Sequence, residues 1–323
     1  MSYESVVARQ IEREMSAHLD GIQMKRLHEC LDRVMGGPTS DSPDNSELLR
    51  DFLNAKAVEG CSPRTIQYYT VTLERFVAAL TLPLHAVGTA EVRSYLAALG
   101  STGTVGNVTL DNVRRVISSF FSWLEEEEII YKSPVRRIKK IRSASTVKPV
   151  ITDEEMEVIR DSCDNPRDKA VIDLLASTGM RVGELVRLNR DDIDFESREC
   201  VVHGKGNKQR KVYFDAKTKI HLQEYLSQRI DESPSLFVSL RAPYKPLNIS
   251  GVESRLREIG RESTRLRLHP HKFRRTMATR AIDKGMPIEQ VQVLLGHSKI
   301  DTTLCYAMVD QQNVKRSHHK YIS

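Results

Sequence analysis

Apolar residues recur at helical spacing over most of this chain and alternate at strand spacing in one short stretch. Residues 6–19 and 24–35 read as two helices with charges on their outer faces, followed by the linker-like run GGPTSDSPDNS at 36–46. From Glu47 the stripe Leu48, Leu49, Phe52, Leu53 opens a helical region. Ser62-Pro63 starts a helix through Tyr69, Leu73 and Phe76, and residues 91–99 form a shorter one. Residues 109–131 read as one long helix with Val113, Val116, Ile117, Phe120, Phe121 and Leu124 inward. Together these make a small all-α domain.

The second half starts near Val150 with the capping box Thr152-Asp-Glu-Glu155. A helix through Ala170, Val171, Leu174 and Leu175 then ends at Ser177-Thr178-Gly179. Residues 198–214 break the helical period: ECVVH and RKVYF flank Gly-Lys-Gly-Asn-Lys and read as two strands joined by a tight turn. Pro270 suits the first position of a helix that stops at Gly285, and a second helix runs from Pro287 to Gly296 on the stripe Ile288, Val291, Leu294, Leu295. Asp301 caps a last short helix carrying Tyr306. The expected fold class is mainly α: a helical domain, then a mixed, mostly helical domain with a small antiparallel sheet.

Composition narrows the class. The 323 residues have a mean hydropathy of −0.41 and are 28% charged. No run reaches the roughly 18 apolar residues of a membrane span, and MSYESVVARQIEREM lacks the apolar centre of a secretory signal, so a cytoplasmic protein with no membrane partner is expected. The five scattered cysteines suggest neither a disulfide framework nor a zinc module. Net charge is +6, but residues 1–45 hold five Lys/Arg and eight Asp/Glu, a balance of −3 that leaves +9 for the remainder. Residues 132–148 contain seven Lys/Arg and no acid. A basic body of this kind suits DNA phosphates, whereas the N-terminal segment does not.

Taken singly, the polar residues of the C-terminal third have mundane readings: a solvated His or Arg, a core Tyr. The constellation does not. His271-x-x-Arg274, Leu295-Gly296-His297-Ser298 and Tyr306, nine positions past His297, resemble the C-terminal signature of the tyrosine recombinases, the phage-integrase and Xer-type site-specific recombinases. Arg181 in TGMRVGEL and Lys205 in the glycine-flanked turn complete the six catalytic positions. Ser62-Pro63-x-Thr65, Tyr69 and Phe120-Phe121-x-Trp123-Leu124 resemble the family's helical core-binding module. One position departs from the usual H-x-x-R-H: Arg275 stands where the last His is common.

The resemblance implies a chemistry that these side chains suit. Arg181, expected in the first turn of a helix capped by Thr178 or Gly179, would add its guanidinium to a free helix N-terminus, and Arg274 would supply a second fork for the same phosphodiester. Lys205 would protonate the departing 5′ oxygen, with Lys208 on the same turn as the fallback. Tyr306 would be the nucleophile, helped by His271, with His297 bonding the phosphate and Glu184 orienting an arginine. No cofactor and no metal is implied, and no GxxxxGK[ST] phosphate loop occurs.

The expected organisation is an acidic helical extension and linker (1–45), a core-binding domain (46–142), a basic linker (143–149) and a catalytic domain with a tail helix (150–323). The whole basic run 132–148 reads as a connection crossing the DNA backbone, which lets the two domains clamp the duplex. DNA-contact candidates are Arg64, Arg114, Arg115, Arg136, Arg137, Lys139, Lys140 and Lys208. The implied partner is double-stranded DNA bearing an inverted-repeat core site. Two protomers would occupy each site and four would form the synapse, exchanging the tail at 310–323, with an accessory protein as a further partner. The N-terminal extension is expected to serve protein contact or autoinhibition. The alternatives are a type IB topoisomerase-like nicking and closing enzyme, a non-catalytic architectural DNA-binding protein on the same scaffold, and a metal-dependent nuclease.

Overall fold

The computed structural model describes residues 10–35, 44–143, 149–204, 209–297 and 300. The chain divides into two compact units, residues 1–146 and 147–323.

Each predicted stripe in the first unit becomes a helix. In the N-terminal extension residues 10–15 are helical, and the expected helix stops at turns over 16–18. α1 (Gly21–Met35) begins three residues earlier than the apolar pattern suggests. The cause is Asp20, whose Oδ1 accepts the Ile22 and Gln23 amides at 2.9 and 2.8 Å. α2 (Asn45–Val58) buries Leu48, Leu49 and Phe52. α3 (Pro63–Ala78) is capped by the Ser62 hydroxyl, which accepts the Thr65 amide at 3.2 Å. α4 (Thr89–Ser101) and α5 (Asn107–Glu126) complete the set. The core is aromatic: the Phe52 ring lies 5.1 Å from Phe120 and 5.7 Å from Trp123, and Phe76 meets Phe121 edge-on at 6.0 Å.

α5 is shorter than the expected helix over 109–131. It stops at Glu126, Glu128 takes a left-handed φ of 58°, and the Ile129 and Ile130 amides return to the Leu124 carbonyl. Consecutive carboxylates at 125–128 oppose the negative end of the helix, and Glu125 instead turns back to accept the Ser133 amide at 3.0 Å. The basic run that follows is not all connection. Pro134 and Val135 are buried in a 3₁₀ turn, Thr89 Oγ1 donates to the Pro134 carbonyl at 2.7 Å, and the Ile141 amide donates to Asp111 Oδ1 at 3.0 Å. Residues 132–143 are thus held to the helical unit.

The second unit is built around α7 (Pro166–Thr178), which buries residues on every side, including Ala170, Val171, Ile172, Leu174 and Leu175. α9 (Ala216–Ser227) and α11 (Pro270–Asp283) pack against it. Around these stand α6 (Asp153–Asp161) with its predicted capping box, the single turn α8 (Val182–Leu185), α10 (Ile249–Glu262) and α12 (Ile288–Leu295). A three-stranded antiparallel sheet runs β1 (Ile193–Asp194), β2 (Glu199–His203), β3 (Gln209–Tyr213). β1 is too short to leave an alternation in the sequence. The two expected strands pair, and the ladder runs to His203 opposite Gln209, one residue further toward the turn than the pattern suggests. Among the described residues no helix is long and apolar enough to cross a membrane.

The chain has one tryptophan, Trp123, and it lies in the aromatic core of the first unit. Phe120→Ala is therefore expected to remove about 3–5 kcal/mol from that unit alone. Urea unfolding followed by tryptophan fluorescence should show the loss, while a second transition seen by far-ultraviolet circular dichroism stays in place. A single transition moving as a whole would mean that the two cores unfold together.

Candidate active site

The site is assembled at three chain turns. α7 ends on Gly179 with φ 61°, a left-handed conformation, and a Cβ there would lie 2.2 Å from Met277 Cε. Two residues later Arg181 is the N-cap of α8 rather than a member of its first turn, and its amide is taken by Glu184 Oε2 at 2.8 Å. A four-residue helix with that amide occupied has little dipole to offer. The helix terminus expected at Arg181 is thus a single turn, and the Arg181 amide is not among its free donors. The guanidinium donates to Glu184 Oε1 at 3.0 Å and to the Gly296 carbonyl at 3.1 Å.

α11 starts at Pro270 as the pattern predicts, and its first turns present His271 and Arg274. Arg274 is 2% exposed. Its Nη1 donates to the Gly179 carbonyl at 2.8 Å and its Nη2 to the Leu295 carbonyl at 2.6 Å. α12 ends in a Schellman turn: the His297 amide reaches back to the Gln292 carbonyl at 3.1 Å and the Gly296 amide to Val293 at 3.0 Å, with Gly296 at φ 64°. Gln292 Nε2 also donates to the His297 carbonyl at 3.0 Å, which fixes the residue beyond the stop.

These elements enclose a cleft of about 610 Å³ lined by Arg181, Arg187, His203, Gly204, His271 and Arg274. Both candidate histidines are held toward the neutral ring. Withdrawal from water, then the charges of Arg274, Arg181 and Arg210, push His297 down to about 4. His271 is lowered for the same reasons, by desolvation first and then by Arg274 and Arg181. Burial alone would raise the Glu184 carboxyl, but hydrogen bonds from Arg210 and from the Arg181 amide hold it below the usual range. The arrangement can bind a dianionic or monoanionic phosphate with two guanidiniums while keeping two imidazoles free of charge.

Four of the six predicted catalytic positions thus meet around one cleft: Arg181, His271 and Arg274 in its neighbourhood, with His297 close enough to feel both arginines. Lys205, Lys208 and Tyr306 lie outside the described residues. Glu184 accepts hydrogen bonds from Arg181 and from a residue that the sequence reading missed, Arg210. Arg210 lies on β3 on the same face as buried Val212, so a charge at an inward strand position was the available signal. Arg187 was missed as well. It donates to the Gly183 carbonyl at 2.7 Å and to that of His203 at 2.8 Å, tying α8 to the strand end before Lys205.

Among the DNA-contact candidates of the first unit, Arg114 is turned inward. Its Nε donates to buried Asp111 at 2.9 Å and its side chain is 14% exposed. Arg115 shares Asp111 at 3.1 Å but stays exposed, and Arg136 reaches Glu125 at 3.4 Å. Arg64, Arg137, Lys139 and Lys140 are exposed.

Known proteins place this architecture. The profile described as the phage integrase family matches residues 149–313, and that described as the phage integrase N-terminal SAM-like domain matches residues 48–130. The chain belongs to the phage integrase family, the tyrosine recombinases. Among curated relatives, tyrosine recombinase XerC of Staphylococcus aureus is 30% identical over 288 residues, covering 84% of this chain and 95% of its own. Tyrosine recombinase XerA of Pyrococcus horikoshii is 29% identical over 278 residues, covering 85% and 94%. The fold matches a lambda integrase dimer bound to a COC' core site with a TM-score of 0.69, 18% identity and coverage of 88% and 86%. It also matches XerH bound to a palindromic difH substrate with a TM-score of 0.66, 20% identity and coverage of 98% and 95%.

The histidine environment has a pH signature. Because the folded His297 refuses a proton down to about 4, the unfolded chain binds protons first as pH falls below its ordinary value of roughly 6.5. Stability should fall through that window and level off once His297 itself protonates. Imidazole NMR of the free protein should show its midpoint well below 6.5. An oxyanion in the cleft should raise it by offsetting the arginine charge. A midpoint at or above 6.5 in the free protein would contradict this geometry.

Proposed function

We propose that this chain is a metal- and ATP-independent enzyme of site-specific DNA strand exchange, acting through a 3′-phosphotyrosyl intermediate. The observation that carries the reading is the convergence of Arg181, Arg274 and the charge-poor His271 on one open cleft, with His297 in the field of the same two arginines.

In the proposed step the Tyr306 oxygen attacks phosphorus as the bond to the 5′ oxygen breaks. Arg181 and Arg274 neutralise the two non-bridging oxygens as charge builds in the five-coordinate transition state. His271, entering as the neutral ring, accepts the phenol proton, and His297 hydrogen-bonds the phosphate. Lys205 delivers a proton to the leaving 5′ oxygen, with Lys208 as the alternative donor. One P–O bond replaces another, so the phosphotyrosyl link retains the energy needed for a new 5′-hydroxyl to reverse the step. The relatives solved on a core site and on a palindromic substrate support two protomers on an inverted repeat. Pairing of two such sites, a Holliday-junction intermediate and exchange of the tail at 310–323 complete the reading, with action in the cytoplasm.

The test is covalent trapping on nicked inverted-repeat duplexes in EDTA and without ATP. Native protein should form a denaturation-resistant adduct, Tyr306→Phe none, and Arg274→Ala at least about a hundredfold less per minute, as for loss of a preorganised oxyanion donor. Lys205→Ala should recover on a substrate with a 5′-bridging sulfur, which leaves without a proton. Full site occupancy with no native adduct would favour an architectural role, and adducts that reseal without exchanging partners would favour a topoisomerase.

A further inference from the structure

Arg210 is a charged residue beside the site that the proposed chemistry does not use. It does not line the cleft, yet two of its guanidinium nitrogens bind Glu184, which does, and the third holds the end of α12. Nη1 and Nη2 bind the two oxygens of Glu184, each at 2.7 Å, and Nε donates to the Leu294 carbonyl at 3.0 Å. Its side chain is 13% exposed and Glu184 is 2% exposed, so these bonds are made with little competition from water. The contact is also tight on the far side. A Cβ built on Gly296 would lie 3.0 Å from Arg210 Cδ and 3.1 Å from its Nη1, so a side chain where the turn passes this guanidinium would push it out of place.

Two reacting-side groups hang on these partners. Glu184 Oε1 accepts Arg181 Nη1 as well as Arg210 Nη1, and Glu184 Oε2 accepts the Arg181 amide as well as Arg210 Nη2. A carboxylate bound to Arg181 alone could rotate or follow that side chain; one gripped at both oxygens by a fork from β3 cannot. On the other arm, the Leu294 carbonyl lies three residues before His297, and the intervening carbonyls are held by Arg274 and Arg181.

We propose that Arg210 is a positioning residue for strand cleavage: from β3 it fixes Glu184, and through it Arg181, while it pins the end of α12 that places His297. This rests on the proposed strand-exchange activity. Arg210 also belongs to the charges facing His297, together with Arg274 from α11 and Arg181 ahead of α8. Its removal therefore carries a signature that a loss of packing would not produce.

The experiment compares native protein, Arg210→Ala and Arg210→Lys at saturating nicked DNA from pH 5 to 9. It measures single-turnover adduct formation, half-saturation by DNA, and the His297 imidazole titration in free protein. Misplacement of about 1 Å costs on the order of a hundredfold in rate. Arg210→Ala is therefore expected to slow adduct formation by about that factor, with half-saturation changed less than about threefold. Its His297 midpoint should rise above the native one while burial, Arg274 and Arg181 still hold it below the ordinary value, and the acid limb of the rate profile should rise with it. Arg210→Lys keeps the charge but cannot make three bonds in a fixed fork, so its midpoint should stay near native while the rate remains reduced. If Arg210→Ala does not fold, that lysine pattern carries the test. Native rates with an unmoved midpoint in a folded variant, or rates lowered only in proportion to unfolded protein, would overturn the proposal. If native protein gives no adduct on occupied DNA, the activity reading falls. The imidazole titrations then decide separately whether Arg210 sets His297.

Discussion

The last turn of α12 ends in three successive carbonyl oxygens, each bound by a different arginine: Leu294 by Arg210, Leu295 by Arg274 and Gly296 by Arg181. A helix terminus leaves such carbonyls without intrahelical partners, and it carries the negative end of the helix dipole. The Schellman turn satisfies only the carbonyls further back, those of Gln292 and Val293. What remains is a short, rigid row of acceptors to which cations are drawn. Bonds from a charged donor of this kind contribute roughly 1.5–3 kcal/mol each, enough to hold side chains that would otherwise repel one another. The arginines come from β3, α11 and the N-cap of α8, so one row of oxygens brings three distant parts of the sequence into register.

Glu184 is the second half of the same device. Alone, a carboxylate with so little exposure would be protonated; between Arg210 and Arg181 it stays charged and offsets one of the three cations. The balance stays positive on the cleft side, which Arg181 and Arg274 line while the carbonyl oxygens fix their planes. An enzyme of strand exchange must recognise the same phosphate before and after the phosphorus changes partners. A site built from backbone acceptors and side-chain forks suits that demand, because it is in place before the substrate arrives and needs no reorganisation as charge develops.

Much of this was legible in the sequence, for identifiable reasons. Pro270, Gly179, Gly285 and Gly296 punctuate helices by backbone preference, which acts locally, and the aromatic stripe of α5 has a period no other element would satisfy. The histidines and arginines of the C-terminal boxes stood out as a spaced set. What did not stand out depends on groups that leave no mark in a residue string. Arg210 looks like one more cation in a basic hairpin, since its partners are a carboxylate 26 positions earlier and a main-chain oxygen 84 positions later. Arg114 reads as a DNA contact until Asp111 is seen to be buried beneath it. Arg181 stands at the N-cap of α8 rather than in its first turn because Glu184 takes its amide, a capping contact that a residue string does not display. Even the end of α5 turns on where four glutamates fall relative to a dipole, which periodicity does not register.

The neutral imidazoles follow from the same arrangement and bear on its chemistry. Three guanidiniums face His297, and two of them bear on His271 as well, so protonating either ring adds a cation to a place already crowded with them. A neutral ring can accept a proton; a charged one cannot. On the proposed mechanism, the field that binds the phosphate therefore also keeps His271 able to take the phenol proton, and the same field favours the phenolate that results. Once the phosphate enters, its negative charge relieves the crowding, and a proton taken up by the ring costs less than it did in the empty cleft. Base strength thus rises with occupancy, which ties the capacity for proton transfer to the presence of the group to be attacked.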